Sequence, residues 1–204
     1  FDLGTDGSRF IAKDNAGFIY TAGNTEFITP SLNFLKYSPN GDLIHSYIYD
    51  DNFEEEVLYG MKVDNSGNVY GVGKGAAVTM ILVKLDSSLS FQWFDTTSYG
   101  TYNNDHAEDL VIGDDGYIYV CGSLSMDSGL GYFLIKSAVL KYSPSGNLEW
   151  TFTHMSNTKA DYAKKIIASN DGTLFVLGYY WTPTYSTSHL KVMRLNSSGS
   201  LIDS

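Results

Sequence analysis

The sequence has one cysteine and only four prolines in 204 residues. A single thiol rules out any disulfide within the chain. Cys121 closes the apolar run Tyr117-Ile118-Tyr119-Val120, a setting for a buried, inert thiol rather than a reactive one. No apolar run approaches the roughly twenty residues that cross a bilayer as a helix, and no segment carries a long amphipathic helical period. Basic residues are scarce, 13 Lys and Arg against 23 Asp and Glu, for a formal charge of −10. Such a surface repels phosphate backbones and anionic headgroups, so neither nucleic acid nor membrane insertion is expected. No low-complexity tract points to disorder. The chain begins at Phe1 rather than Met, as expected of a processed product or a piece of something longer.

What is abundant is tyrosine. Aromatic residues make up 15% of the chain, and 16 of them are Tyr. With Val, Ile, Thr and Phe they favour strands, while Gly, Asn, Asp and Ser favour the turns between strands. These two vocabularies alternate with a period of about fifty residues. Phe18-Ile19-Tyr20-Thr21-Ala22-Gly23 recurs as Asn68 to Gly73, as Tyr117 to Gly122 and as Thr173 to Gly178. A Gly-containing turn precedes each, such as Asp14-Asn15-Ala16-Gly17 or Asp64-Asn65-Ser66-Gly67. The Asp and Asn of these turns read as turn chemistry, not as metal ligands. A strand lies upstream of each turn, and two more follow downstream around a second polar turn.

Each unit is therefore expected to be a four-stranded antiparallel meander. One such sheet cannot bury both faces alone, and radial stacking of several makes a β-propeller. The expected fold is all-β, a single four-bladed β-propeller over 1–204, with repeats near 4–52, 53–103, 104–158 and 159–204. The alternative is a four-blade portion of a larger propeller, or an open repeat array. The last strand, from Leu201, is short, and Phe1-Asp2-Leu3 is expected to complete it. The same break would let chain ends pair between copies, as a homo-oligomer or a head-to-tail filament. Ile19, Val69, Ile118 and Leu174 are expected to be buried at equivalent places.

Two stretches carry a family resemblance. Lys141-Tyr142-Ser143-Pro144-Ser145-Gly146-Asn147-Leu148-Glu149-Trp150, and Asp161 to Ile167 with Asp171-Gly172, resemble the β-propeller repeats of large secreted bacterial and protist proteins, the SBBP-type repeat. The resemblance implies an extracellular or cell-surface setting and no particular enzymatic activity.

In a meander blade the two short hairpin turns lie at one end, and the second-to-third and inter-blade loops lie at the other. The second set is longer and chemically richer, and loops longer than their connection needs tend to carry function. The candidate ligand-binding residues come from it. Tyr179, Tyr180, Trp181 and Tyr185 would form a stacking platform for a sugar or peptide. Tyr99, Tyr102 and His106 belong to another loop of the set. His106, beside Asp105 and Glu108, is the histidine to test as an acid or base. The acidic run Asp50, Asp51, Glu54, Glu55 and Glu56 lacks calcium-loop spacing and reads as a solvated loop. Lys36, Lys84, Lys141 and Arg194 recur in each third strand, first of all a packing constraint. Asn196-Ser197-Ser198 is a glycosylation sequon in a turn. No catalytic constellation, metal site or cofactor is expected. The first reading is an extracellular non-enzymatic module that binds a protein or glycan partner. A carbohydrate-active enzyme with carboxylates in a central funnel is the alternative. Convergence of a His with a carboxylate at the channel would favour the latter.

Overall fold

The computed structural model describes residues 6–25, 31–49, 56–75, 79–98, 105–129, 133–156, 160–182 and 187–204. These hold sixteen strands and no helix, in four meanders. The first is β1 (Asp6–Lys13), β2 (Ile19–Thr25), β3 (Ser31–Tyr37) and β4 (Leu43–Tyr49). The second is β5 (Val57–Val63), β6 (Val69–Lys74), β7 (Met80–Leu85) and β8 (Phe91–Thr97). The third is β9 (His106–Ile112), β10 (Ile118–Asp127), β11 (Phe133–Tyr142) and β12 (Leu148–His154). The fourth is β13 (Ala160–Ala168), β14 (Leu174–Thr182), β15 (Thr187–Leu195) and β16 (Leu201–Asp203). Pairing inside each meander is antiparallel, in chain order.

The expected turn chemistry is in place. The Asp14 carboxylate accepts the Phe18 backbone N–H at 2.9 Å, and Asp64 does the same for Ser66 and Asn68. The other oxygen of each accepts a hydroxyl from the next strand, Tyr20 at 3.0 Å and Tyr70 at 3.3 Å, and Asp115 accepts that of Tyr119 at 2.8 Å. The carboxylates are thus engaged by their own hairpins.

The sheets stack in order, face on face. One core cluster joins Tyr20, Ala22, Leu32 and Phe34 of the first sheet to Leu58, Val69, Ile81 and Val83 of the second. The next joins Val72, Met80 and Leu82 to Leu110, Ile118, Val120 and Leu140. The last joins Tyr119, Cys121 and Val139 to Ile166, Leu174, Val176 and Met193. Each sheet therefore presents one face forward and one face back. Cys121 is buried in the last cluster. The first strands β1, β5, β9 and β13 lie against their neighbours in turn, whereas β4, β8 and β12 are largely exposed. The first strands form the inner side of the stack and the fourth strands its rim.

Two of the recurrent third-strand lysines staple successive sheets, while Lys141 pairs with Asp115 of its own. Lys36 Nζ lies 4.3 Å from the centre of the Phe18 ring and donates to the Ser87 carbonyl of the next sheet at 2.6 Å. Lys84 does likewise over Tyr70, donating to the Pro144 carbonyl at 3.1 Å. Turn glycines seat on the preceding sheet's tryptophans. A Cβ on Gly146 would fall 2.8 Å from Trp93, and one on Gly199 would fall 3.0 Å from Trp150. At the first junction His45 stands where the tryptophan does elsewhere. There Leu89 takes the turn with φ 57° and buries its own side chain in the core, so apolar burial offsets the strain.

Two expectations need correction. The ring of four blades is not closed: the substantial contacts between sheets run first to second, second to third and third to fourth, and none joins fourth to first among the described residues. For the same reason Ile19, with no sheet behind it, is only half-buried, while Val69, Ile118 and Leu174 are buried. In addition, the third and fourth meanders merge into one eight-stranded sheet through a parallel bridge between Ile135 and Ala160. β10 and β11 run to ten residues each, so β11 overhangs the next meander and meets the start of β13. Phe1 to Leu3, assigned to the last blade, lie outside the described residues.

Candidate functional site

Each first strand carries one extra residue. The register skips Arg9 in β1, Tyr59 in β5, Glu108 in β9 and Lys164 in β13. A bulge of this kind re-aims a side chain and leaves its residue outside the ladder. The bulge also explains the recurrent glycine at the end of each repeated motif. A Cβ on Gly23, Gly73, Gly122 or Gly178 would lie 1.8, 1.9, 2.1 or 1.9 Å from a first-strand carbonyl oxygen. Only a residue without a side chain lets the strands approach so closely.

Three of the bulged residues meet across sheets. Glu108 Oε1 accepts a hydrogen bond from His106 Nε2 at 2.9 Å and another from the Lys164 ammonium. The Tyr59 ring stands edge-on to His106, centroids 6.0 Å apart. Tyr162 and Tyr179 stack at 4.7 Å, with Lys164 Nζ 5.8 and 5.9 Å from their centres. Next along β9, Asp109 lies 3.9 Å from Lys62 and 3.7 Å from Lys165. Arg9 occupies the equivalent place in the first sheet and is exposed.

Burial pulls the Glu108 carboxyl upward, but hydrogen bonds from His106 and Lys164, with the Lys164 charge, outweigh it and hold the group below the ordinary glutamate range. Glu108 is therefore held as a carboxylate, fitted to accept hydrogen bonds rather than to donate a proton. Around it stand an ammonium and an imidazole as donors, and three tyrosine rings. This set matches a polyhydroxylated ligand, whose hydroxyls need both donors and acceptors and whose carbon faces rest on aromatic rings.

A second charged cluster lies buried between the third and fourth sheets. Asp161 Oδ2 accepts the Ser156 N–H at 2.9 Å and hydroxyl at 3.1 Å, and pairs with Lys191. Lys191 Nζ sits 2.7 Å from His154 Nδ1. The same nitrogen lies 3.3 Å from Asp161 Oδ2. Burial raises the Asp161 carboxyl, and the Lys191 and Ser156 hydrogen bonds more than reverse this, leaving it below the ordinary aspartate range. This cluster ties the third and fourth meanders together at their seam. Its acid was missed in the sequence, although the signal was there. Asp6, Glu56, Asp105 and Asp161 each stand three residues before the bulged position, and the last three are buried.

The residues expected to bind ligand are dispersed. Tyr99, Tyr102 and Tyr185 lie outside the described residues, as do 50–55 of the acidic run. Tyr179, Tyr180 and Trp181 are not in a loop, because β14 runs on through Thr182. Strand alternation then divides them. Tyr179 stacks on Tyr162, while Tyr180 turns the other way onto His189, 5.0 Å between centroids. His106 opens β9 rather than lying in a loop, and the structure brings it together with Tyr59, Glu108 and Lys164. Asn196 lies in an exposed turn, where its Oδ1 accepts the Ser198 and Ser200 N–H groups at 3.1 and 2.9 Å.

A cleft of 600 Å³ opens at the short-turn end, between Asp64-Asn65-Ser66 and Gly113-Asp114 with Lys84 and Pro144. Of its charged groups, Asp64 holds its own turn and Lys84 holds the Pro144 carbonyl. The bulged residues make their polar contacts elsewhere, across sheets on the inner strands.

No protein-family profile and no curated protein matches the chain. Solved structures do. An exo-1,5-α-L-arabinanase from a bovine ruminal metagenomic library is 13% identical, with TM-score 0.52, over 96% of this chain and 78% of that one. An α-L-arabinanase of Cellvibrio cellulosa is 12% identical, with TM-score 0.52, over 94% and 75%. A Lactobacillus plantarum protein is 12% identical, with TM-score 0.53, over 93% and 55%. The likeness at this identity is one of fold: an all-β, propeller-like arrangement of stacked meanders.

Proposed function

We propose that this chain is a carbohydrate-active propeller portion whose glycan ligand meets the inner-strand cluster of Tyr59, His106, Glu108, Tyr162, Lys164 and Tyr179. One observation carries the reading. Bulges in three successive first strands deliver an aromatic ring, a fixed carboxylate and an ammonium to one place, with a histidine bonded to the carboxylate. A histidine bonded to a carboxylate on the inner strands supports a carbohydrate-active reading over a purely structural one. The reading takes the chain to act outside the cell, where polysaccharide is met. Two fold neighbours are arabinanases, so α-1,5-linked arabinan is the first ligand to try. Glu108, held ionised, would accept hydrogen bonds from sugar hydroxyls, and Tyr59 would stack on a ring face. The test is a polysaccharide panel led by arabinan, read for retention on immobilised glycan and for release of reducing ends. Retention that Glu108→Gln abolishes supports the reading, and reducing-end release extends it to hydrolysis. A panel with no retained glycan refutes it.

A further inference from the structure

Among the described residues, the stack ends in two apolar faces with no sheet packed on them. On the forward face of the fourth sheet Leu177 is 39% exposed, Val192 46% and Leu190 77%. The registers place Leu177 where Ala22, Val72 and Cys121 lie, and Val192 where Phe34, Leu82 and Val139 lie. All six of those are buried by the following sheet. Leu190 matches Leu32 and Met80, also buried. Ile167 of β13, 64% exposed, pairs with Phe175 on this face. At the other end, Ile11 of β1 is 75% exposed on the backward face of the first sheet. Its register equivalents, Met61, Leu110 and Ile166, are buried against the preceding sheet. Exposed apolar area of this kind marks an interaction surface.

We infer that the forward face of the fourth sheet receives the backward face of the first sheet of a second copy, so that copies stack head to tail. The three junctions inside the chain all join a forward face to a backward face through equivalent positions, and the fourth such pair is present but unmade among the described residues. The contact continues an interface the chain already builds three times, and the occupant's chemistry follows from that: aliphatic side chains at alternate positions of antiparallel strands. It is heterologous, so two copies close into a ring or further copies extend into a filament.

Chain-terminating variants test this without knowing which assembly forms. Leu190→Asp with Val192→Asp blocks the forward face, and Ile11→Asp blocks the backward face. All three side chains are exposed, so the fold should be kept, as far-ultraviolet circular dichroism would verify. The wild type is expected to be a dimer or larger by light scattering, each blocked chain a monomer, and the two blocked chains mixed a 1:1 dimer, since each keeps the half the other lacks. The unsubstituted protein supplies a second readout. Cross-links between Lys13 of β1 and Lys165 of β13 in a mixture of light and ¹⁵N-labelled chains should include mixed-isotope pairs. A monomeric wild type, same-isotope links only, or blocked variants that assemble like the wild type would overturn the inference.

Discussion

The open stack makes a sharp prediction about four side chains at one register position: Ile19, Val69, Ile118 and Leu174. Ile118 is fully buried between the second and third sheets. Cutting it to Ala removes three carbons from water-free surroundings, about 2.4 kcal/mol at about 0.8 per carbon. A cavity term follows because the sheets on both sides are held by their own ladders, for a total of about 3–4 kcal/mol. Ile19 occupies the same place in the first sheet but is only half-buried. Its truncation opens to solvent, leaves no cavity and should cost about 1 kcal/mol. In a chain of this size each kcal/mol moves the melting point by about 2–4 °C. Thermal and urea melts at dilutions where the chain is monomeric should therefore separate Ile118→Ala from Ile19→Ala by roughly 4–12 °C. Equal losses at the two positions would mean that a sheet covers the first face after all. A loss under about half a kcal/mol at Ile118 would mean that the repeat register is wrong.

Gly73→Ala places a Cβ 1.9 Å from the Val57 carbonyl oxygen and should cost about 2–4 kcal/mol in urea melts through lost ladder bonds and backbone shift. Gly7→Ala, with its nearest atom at 4.0 Å, should change stability by about half a kcal/mol or less. Lys191→Met strands the buried Asp161 and should cost about 3–5 kcal/mol. Because the Asp161 pKa is depressed in the folded chain, the stability it contributes is complete above the ordinary aspartate pKa and is lost as pH falls through the folded value. Urea midpoints should thus fall on acidification, and less steeply in Lys191→Met. Burial pushes the Cys121 thiol pKa up, so a thiol-specific disulfide reagent should label it only after denaturation; rapid labelling of native chain would contradict its burial.

Much of the fold was legible in the sequence because turn chemistry is local. Asp14, Asp64, Asp115 and Asp171 with their glycines mark every first hairpin, and the motif ending at Gly23, Gly73, Gly122 and Gly178 marks every second strand. What that glycine does was not legible, since its cause is a bulge fourteen residues upstream, in a different strand. The inner cluster stayed hidden for a related reason. Arg9, Tyr59, Glu108 and Lys164 share one structural position but no chemistry, so self-similarity passes over them. The run Tyr179-Tyr180-Trp181 looked like one platform because sequence adjacency hides strand alternation. Closure of the ring was not written locally at all: whether Val192 meets a following sheet depends on the curvature of the whole stack.

The central claim is that ligand meets the inner strands rather than the end of the fourth sheet. Isothermal titration of an arabinan oligosaccharide, or of whichever glycan the panel retains, tests it across Tyr59→Ala, Glu108→Gln and Trp181→Ala, with melting points as the check on folding. The account predicts that Tyr59→Ala and Glu108→Gln each weaken binding by about tenfold or more, while Trp181→Ala keeps wild-type affinity. Loss of binding in Trp181→Ala with Tyr59→Ala and Glu108→Gln unaffected would contradict it.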